Sequence, residues 1–382
     1  MLEEIIKQER DMKLLFEKLI SKKTNHKCLY PECNEDAILS HSISKSTLKN
    51  IEYDNHLVFQ KFNRAEFTLK DFIKPEKINM RLQKISTKQA STFKGFCEKH
   101  DNNIFENIDN NGITTLRDVF LQFYRTACKK YFFNNMTRNA ELETFNKEYY
   151  TNEDFEKNKI ISLKNIVSFL EDLLLDFPDL DRKFNIKYDQ VLWLKPFSEK
   201  VPLDINIMFK KLSIKYPIAL ESSYTLRLNN KYYSNLVVII PTTSETLLGI
   251  LCHEDLVTQY TPYFQSELEM LNFIESLIMT DSEFYISPNE FNTWSEEKVD
   301  IISKDLYFFN ERKFLQKYDV SIFDEIRKSI LNNQPVEIQN HENNKINTKP
   351  KRLDLETRFW DLGQFIESSR DKMQNITNQR NQ

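Results

Sequence analysis

Two short pairs of metal-ligand residues stand out in this 382-residue chain, Cys28-x4-Cys33 and Cys97-x2-His100. Both spacings let two side chains reach one tetrahedral ion, and closed structural zinc sites are built from two such pairs. Cys28 and Cys33 bracket Leu29-Tyr30-Pro31-Glu32, a proline-containing tight turn that suits a ligand knuckle better than a core strand. The competing reading is that small cysteines pack in a core without doing chemistry. The spacing predicts a Zn²⁺ site made of Cys28, Cys33, Cys97 and His100.

Charge is uneven around those pairs. Between Lys45 and Lys99 there are 12 Lys and Arg against 6 Asp and Glu, a local net of +6, while the rest of the chain holds 41 basic and 51 acidic residues. A basic stretch between two halves of a zinc site is a candidate surface for nucleic-acid phosphates, or else a solvated lysine-rich face. Only four glycines occur, so the glycine-rich loops that cradle nucleotide phosphates are missing. No apolar run approaches the length of a membrane span, and the acidic, amphipathic N-terminus is unlike a secretory signal. An odd number of cysteines, three of them thiolate candidates, fits a reducing cytoplasmic setting.

Hydrophobic spacing supplies the elements that must hold these residues. Residues 2–22 read as a helix that packs on the remaining fold. Asp36 to Ile43 is strand-compatible, Ser44 to Ile51 suits a short helix or turn, and Val58-Phe59 and Phe67-Thr68-Leu69 are strand fragments. A helix opens at Cys97, with Glu98 and Asp101 in its first turn. Residues 115–176 read as two or three helices ended at Phe177-Pro178, and residues 220–255 as an antiparallel meander. Helices follow over Gln265–Met279 and Ser295–Phe309; Asn332–Lys351 reads as a polar linker, Leu353–Ser368 as a short helix anchored by Trp360 and Phe365, and the rest as a disordered tail. The expected class is α+β: an N-terminal helix (1–23), a zinc-clamped module with a basic insertion (24–110), a helical and α+β domain with an antiparallel sheet (111–331), and the polar C-terminal segment (332–382). The 111–331 domain is also the candidate surface for a protein partner or a second copy of the chain.

The order knuckle, hairpin, then ligand pair at a helix start is that of a treble-clef zinc unit. The N-terminal region thereby resembles the HNH endonuclease superfamily, whose ββα-metal motif often rides on such a clamp. The matching stretches are Cys28-x4-Cys33, Ser40-His41-Ser42-Ile43-Ser44-Lys45-Ser46 and Phe96-Cys97-Glu98-Lys99-His100. Ser44 stands where the family often has proline, and nothing in residues 115–382 adds to the likeness. The resemblance implies that His41 deprotonates a water for attack on a phosphodiester, a task suited to a group titrating near neutral pH. It also implies a divalent ion beside His41, Mg²⁺ or Mn²⁺, for which Asp101 is the available oxygen donor. The chain departs from the pattern at Thr92, where asparagine is expected, and at Asp101 and Phe105, which replace a histidine pair.

Other readings of the same residues stand beside these. His41 is alternatively a zinc ligand or a hydrogen-bonded hairpin histidine, and Asp101 a charge that favours a helix start. His26 and His56 are weaker ligand candidates, Cys252-His253-Glu254-Asp255 lacks a partner motif, and Cys128 suits helix packing. Two functions result: a metal-dependent HNH-type nuclease, or a non-catalytic zinc-binding module that recognises nucleic acid or protein. A zinc head on an unfamiliar α+β body is also reminiscent of prokaryotic defence proteins, an analogy of architecture alone.

Overall fold

The computed structural model describes residues 2–21, 24–60, 82–144, 153–177, 179–188, 190–228, 231–280, 282–308 and 317–358. In chain order these form α1 (Leu2–Leu19), β1 (Leu39–His41), α2 (Lys45–Lys49), β2 (His56–Phe59), β3 (Gln83–Ser86), β4 (Thr92–Lys94) and α3 (Glu98–Asn111). Two long helices follow, α4 (Leu116–Thr144) and α5 (Glu153–Asp176), then strands β5 (Val191–Leu194), β6 (Ile205–Leu212), β7 (Ile218–Leu228), β8 (Lys231–Pro241) and β9 (Thr246–His253). The rest is α6 (Val257–Tyr260), α7 (Glu267–Ile278), β10 (Ser282–Ile286), α8 (Pro288–Phe291), α9 (Glu296–Tyr307), α10 (Asp324–Leu331) and α11 (Val336–Asn347). The expected strand at Phe67–Leu69 and the anchors Trp360 and Phe365 lie outside the described residues.

Strands assort into two antiparallel sheets. β1 and β4 pair as a small hairpin, and eight strands form the large sheet in the order β3-β2-β10-β7-β8-β9-β6-β5. The large sheet is covered on both faces, which explains why its strands read as continuous apolar runs instead of alternating ones. In β8, Leu236, Val238 and Ile240 join a core with α4 and α5, while Val237 and Ile239 join the opposite core with α7, α9 and α10. Gly249 sits where β9 meets both β6 and α4: a Cβ there would lie 2.9 Å from Phe209 Cζ and Val238 Cγ2, and 3.1 Å from Phe123 Cζ. The missing side chain is what lets Phe123 of α4 seat on the sheet.

β2 and β3 lie in the long connection between β1 and β4, yet they belong to the large sheet, where Val58 registers with Ile286 of β10. The N-terminal region and the body are therefore interleaved along the chain. One expectation needs correction. The segment read as a linker carries α11, and the reason is a buried charge network: Arg327 of α10 pairs with Glu275 of α7 at 2.5 Å and with Glu342 of α11, and Lys345 of α11 sits 3.1 Å from Glu342. Charged residues buried in pairs look in sequence like solvated ones. The helix expected over Leu353–Ser368 is described only as far as Arg358, itself buried against Asp305 at 2.9 Å.

Candidate metal centre

The knuckle is a tight hairpin closed by a bridge between Lys27 and Asp36. Cys28 N–H donates to Glu35 O at 2.9 Å and Cys33 N–H to Tyr30 O at 3.2 Å, with Glu32 at φ 60° turning the tip. The second pair enters by position: Cys97 immediately precedes α3, so His100 stands one turn into the helix on the same side. Leu29 N–H to Gly95 O (2.8 Å) and Ile38 N–H to Phe96 O (2.7 Å) clamp the knuckle onto this turn.

Those elements bring Cys28, Cys33, Cys97 and His100 together with all ligand atoms within 4.8 Å of one another, the only such group of three or more among the described residues. Cys28 Sγ is 3.5 Å and Cys97 Sγ 3.3 Å from His100 Nδ1, and Cys33 Sγ is 3.9 Å from Cys97 Sγ. A tetrahedron with Zn–S of about 2.3 Å and Zn–N of about 2.0–2.1 Å has edges of roughly 3.6–3.8 Å, so the donors fit a zinc-sized ion. Tyr30 stacks on His100 with ring centroids 4.1 Å apart, fixing the imidazole plane. Burial pushes the Cys28 thiol up to about 11, a cost that a bound cation would offset by taking the thiolate.

Beside this cluster, β1, β4 and α3 form a ββα arrangement. His41 ends β1 opposite Thr92 of β4. Burial, then the nearby Arg125 charge, lower its pKa below the ordinary histidine value, against a backbone hydrogen bond with Thr87 that raises it. Its Nε2 is buried without a hydrogen-bond partner.

Arg125 of α4 was not singled out by the sequence, yet it organises this face. Its side chain is 1% exposed. Two guanidinium nitrogens donate to Asp109 at 2.8 and 2.9 Å, NH2 stands 3.6 Å from Asp101 Oδ1, and the guanidinium carbon lies 4.0 Å over the Phe105 ring. Asp101, Phe105 and Asp109 are one helical face at i, i+4 and i+8. Ser40 Oγ, His41 Nε2, Asp101 Oδ1 and Arg125 Nε are buried and make no hydrogen bond of ordinary geometry, while Asp101 is held by the Arg125 charge and by the Ser40 side chain. Asp101 is thus engaged by an internal cation. The donor set does not fit the Mg²⁺ or Mn²⁺ ion that the HNH resemblance implied, since His41 and Asp101 are joined by no third ligand among the described residues.

One helical turn further, Lys129 of α4 is buried where the hairpin meets the large sheet. Its Nζ donates to Glu221 of β7 and Glu283 of β10, both at 2.6 Å, and to Ser42 Oγ at 3.1 Å. Ser42 Oγ also donates to Glu221 at 2.6 Å, and Gln122 Nε2 to Ser42 O at 2.9 Å. The residue next to His41 is therefore tied to the body through a buried ion cluster. A signal for it existed: Gln122, Arg125, Thr126 and Lys129 form a polar stripe at helical spacing in an otherwise apolar helix.

The remaining candidates separate from the site. His26 bonds Leu19 O at 2.6 Å and stands edge-on to Phe132, and His56 bonds Asp54 O at 2.6 Å. Strand alternation sends Cys252 into the core, where burial pushes its thiol up to about 12, and turns His253 outward onto Tyr233. Cys128 is buried in α4 with its thiol pKa well above the ordinary value because of burial. No family model, curated protein or solved structure matches this chain. No helix among the described residues is long and apolar enough to cross a membrane.

Proposed function

We propose that this protein is a nuclease that cleaves phosphodiester bonds through His41, with the Cys28/Cys33/Cys97/His100 cluster holding a structural zinc ion. One observation carries the reading: a histidine at the end of the first strand of a ββα unit that also carries the Cys28/Cys33/Cys97/His100 cluster, its pKa held below the ordinary histidine value chiefly by burial. A neutral imidazole held this way accepts a proton from an attacking hydroxyl. The surroundings suit a polyanion, because Lys45, Lys49, Lys84, Lys88 and Lys99 are all exposed and the Lys45 charge is felt at His41. Phosphate backbones bind such surfaces by charge and counterion release.

The test is cleavage of plasmid and of single-stranded DNA and RNA by wild type and His41→Ala, with melting curves for both. Removing a general base costs about 10²–10⁴ in rate, so the variant should stay folded and lose cleavage. Equal cleavage by a folded His41→Ala rules out the assignment. A second reading, a non-catalytic zinc-binding recognition module, is favoured by the Arg125–Asp101–Asp109 ion pairs on the α3 face. It predicts salt-sensitive nucleic-acid binding with no cleavage by wild type.

A further inference from the structure

β8 and β9 part at one end of the large sheet. Their ladder runs from Pro241 against Thr246 to Leu236 against Leu251 and stops there. β8 continues along β7 alone, through Tyr233 against Leu226 to Lys231 against Leu228. β9 continues along β6 alone, to His253 against Ile205. The N–H of Ser234 donates to Ser162 Oγ of α5 at 3.1 Å instead of to β9. It therefore points away from β7 into the split, and the alternation of an antiparallel ladder turns the N–H and C=O of Tyr232 the same way. The split opens into a groove of about 620 Å³ flanked by α5, well within the range of about 300–1,000 Å³ that ligand pockets occupy.

The two walls of the groove differ in charge. On the β6–β9 side stand the exposed carboxylates of Asp204 and Asp255, and the β8 wall ends on exposed Lys231. The aromatic lining is already set in place. Tyr233 stacks on His253 with ring centroids 4.1 Å apart and donates its hydroxyl to Asp255 Oδ2 at 3.3 Å, while Tyr232 stands edge-on to Phe155 of α5. Ile161 of α5, 45% exposed, adds an apolar contact. A strand edge facing a groove is matched by another extended backbone, the basis of recognition by strand addition. We propose that this groove binds an extended peptide segment carrying a basic side chain. The peptide backbone pairs with the edge of β8 at Tyr232, and its ammonium or guanidinium group meets the carboxylates of Asp204 and Asp255. Lys231 on the facing wall repels a bare polyamine but accepts a peptide, whose carbonyls or carboxylate can take its proton donors. The site stands apart from His41, since α5, β6, β8 and β9 carry none of the residues of the metal cluster.

The experiment uses the full chain and fluorescent hexapeptide pools, capped at both ends, with Arg, Lys, Ala or Glu fixed at one central position and the others randomised. Fluorescence anisotropy should show binding of the Arg and Lys pools in preference to the Ala and Glu pools. The best single peptide from those pools should bind about five-fold or more weakly to the double variant Asp204→Asn/Asp255→Asn, with melting curves confirming that the variant is folded. Methylating the backbone nitrogens of that peptide should weaken binding by about two- to ten-fold, the effect of lost strand hydrogen bonds. Hydrogen exchange with the peptide bound should protect residues 231–235 and 251–255. No binding by any pool, binding indifferent to the fixed residue or to both aspartates, or protection confined to other segments each overturns the proposal. So does protection of residues 231–235 by spermidine or by a panel of neutral oligosaccharides where the peptides give none. None of these outcomes bears on cleavage through His41.

Discussion

Replacing Lys129 with Met tests how the hairpin is held to the body. The Nζ group is the shared cation of two carboxylates at 2.6 Å each, and its side chain is 1% exposed. Burial pulls its pKa down, but the charges of Glu221 and Glu283 outweigh that and hold it above the ordinary lysine value. Methionine fills similar volume, so little packing is lost and the electrostatic consequence dominates. Glu221 is fully buried and keeps only Ser42 at 2.6 Å and Thr126 at 3.3 Å. Breaking a buried pair on one side costs about 3–5 kcal/mol because a charge is left uncompensated. Glu221→Gln should cost less, and the double variant Lys129→Met/Glu221→Gln should be more stable than the sum of the two losses by about 0.5–3 kcal/mol. Denaturant titration of the three variants and wild type reads this directly. A loss below about 1 kcal/mol in Lys129→Met, or strict additivity in the double variant, would refute the coupling. Zinc content should stay unchanged in all three, since none of these residues touches the metal cluster.

Elemental analysis of protein prepared without chelator should give about one zinc per chain, and Cys97→Ala should lose it together with the folded N-terminal region, as expected where metal binding supplies folding free energy. Gly249→Ala should destabilise by about 1–3 kcal/mol in denaturant melts, the usual cost of overpacking, through the 2.9 Å approaches to Phe209 and Val238; an unchanged midpoint would show that the sheet yields there. Acid should weaken the Lys129 cluster: burial raises the Glu283 pKa, but the Lys129 and Lys130 charges overcome this and bring it down to about 2, from an ordinary 4.5. A depressed carboxylate stabilises fully above its unfolded value, so this contribution is lost as pH falls from about 4.5 towards 2. Melting wild type and Glu283→Gln across that window should give a steeper loss for wild type, and parallel curves would contradict the assignment.

The four residues of the candidate metal cluster were legible because ligand spacing is local: each pair is set by a single turn, and only the meeting of the two pairs needs the fold. Helices α4, α5, α7 and α9 and the meander β7–β9 were legible for the same reason. β6 escaped because Ile205–Leu212 is buried on both faces and shows no alternation, and β10 because its five residues gain their identity from neighbours β2 and β7. Glu221 and Glu275 were invisible as structural anchors, since a charged residue gives the same letter in a buried pair as in water, and Arg125 and Lys129 showed only as part of a polar stripe on α4. Asp101, expected beside a divalent ion, instead faces the guanidinium of Arg125 at 3.6 Å, a residue 24 positions further on in another helix.

The interleaved sheet sets a timetable for synthesis. All four residues of the candidate metal cluster have been made once residue 100 is translated, and they gather on a hairpin and one helical turn. The β2–β3 hairpin must wait longer, because its partner strand registers Val58 with Ile286. At about 5–20 residues per second, those intervening residues take roughly 11–46 seconds to emerge. For that interval β2 offers an unpaired edge, and Ser42 beside it lacks the carboxylates of Glu221 and Glu283. A nascent chain would then capture metal early and acquire the fixed geometry around His41 only at the end. Whatever His41 does is thereby withheld until the whole body has been made.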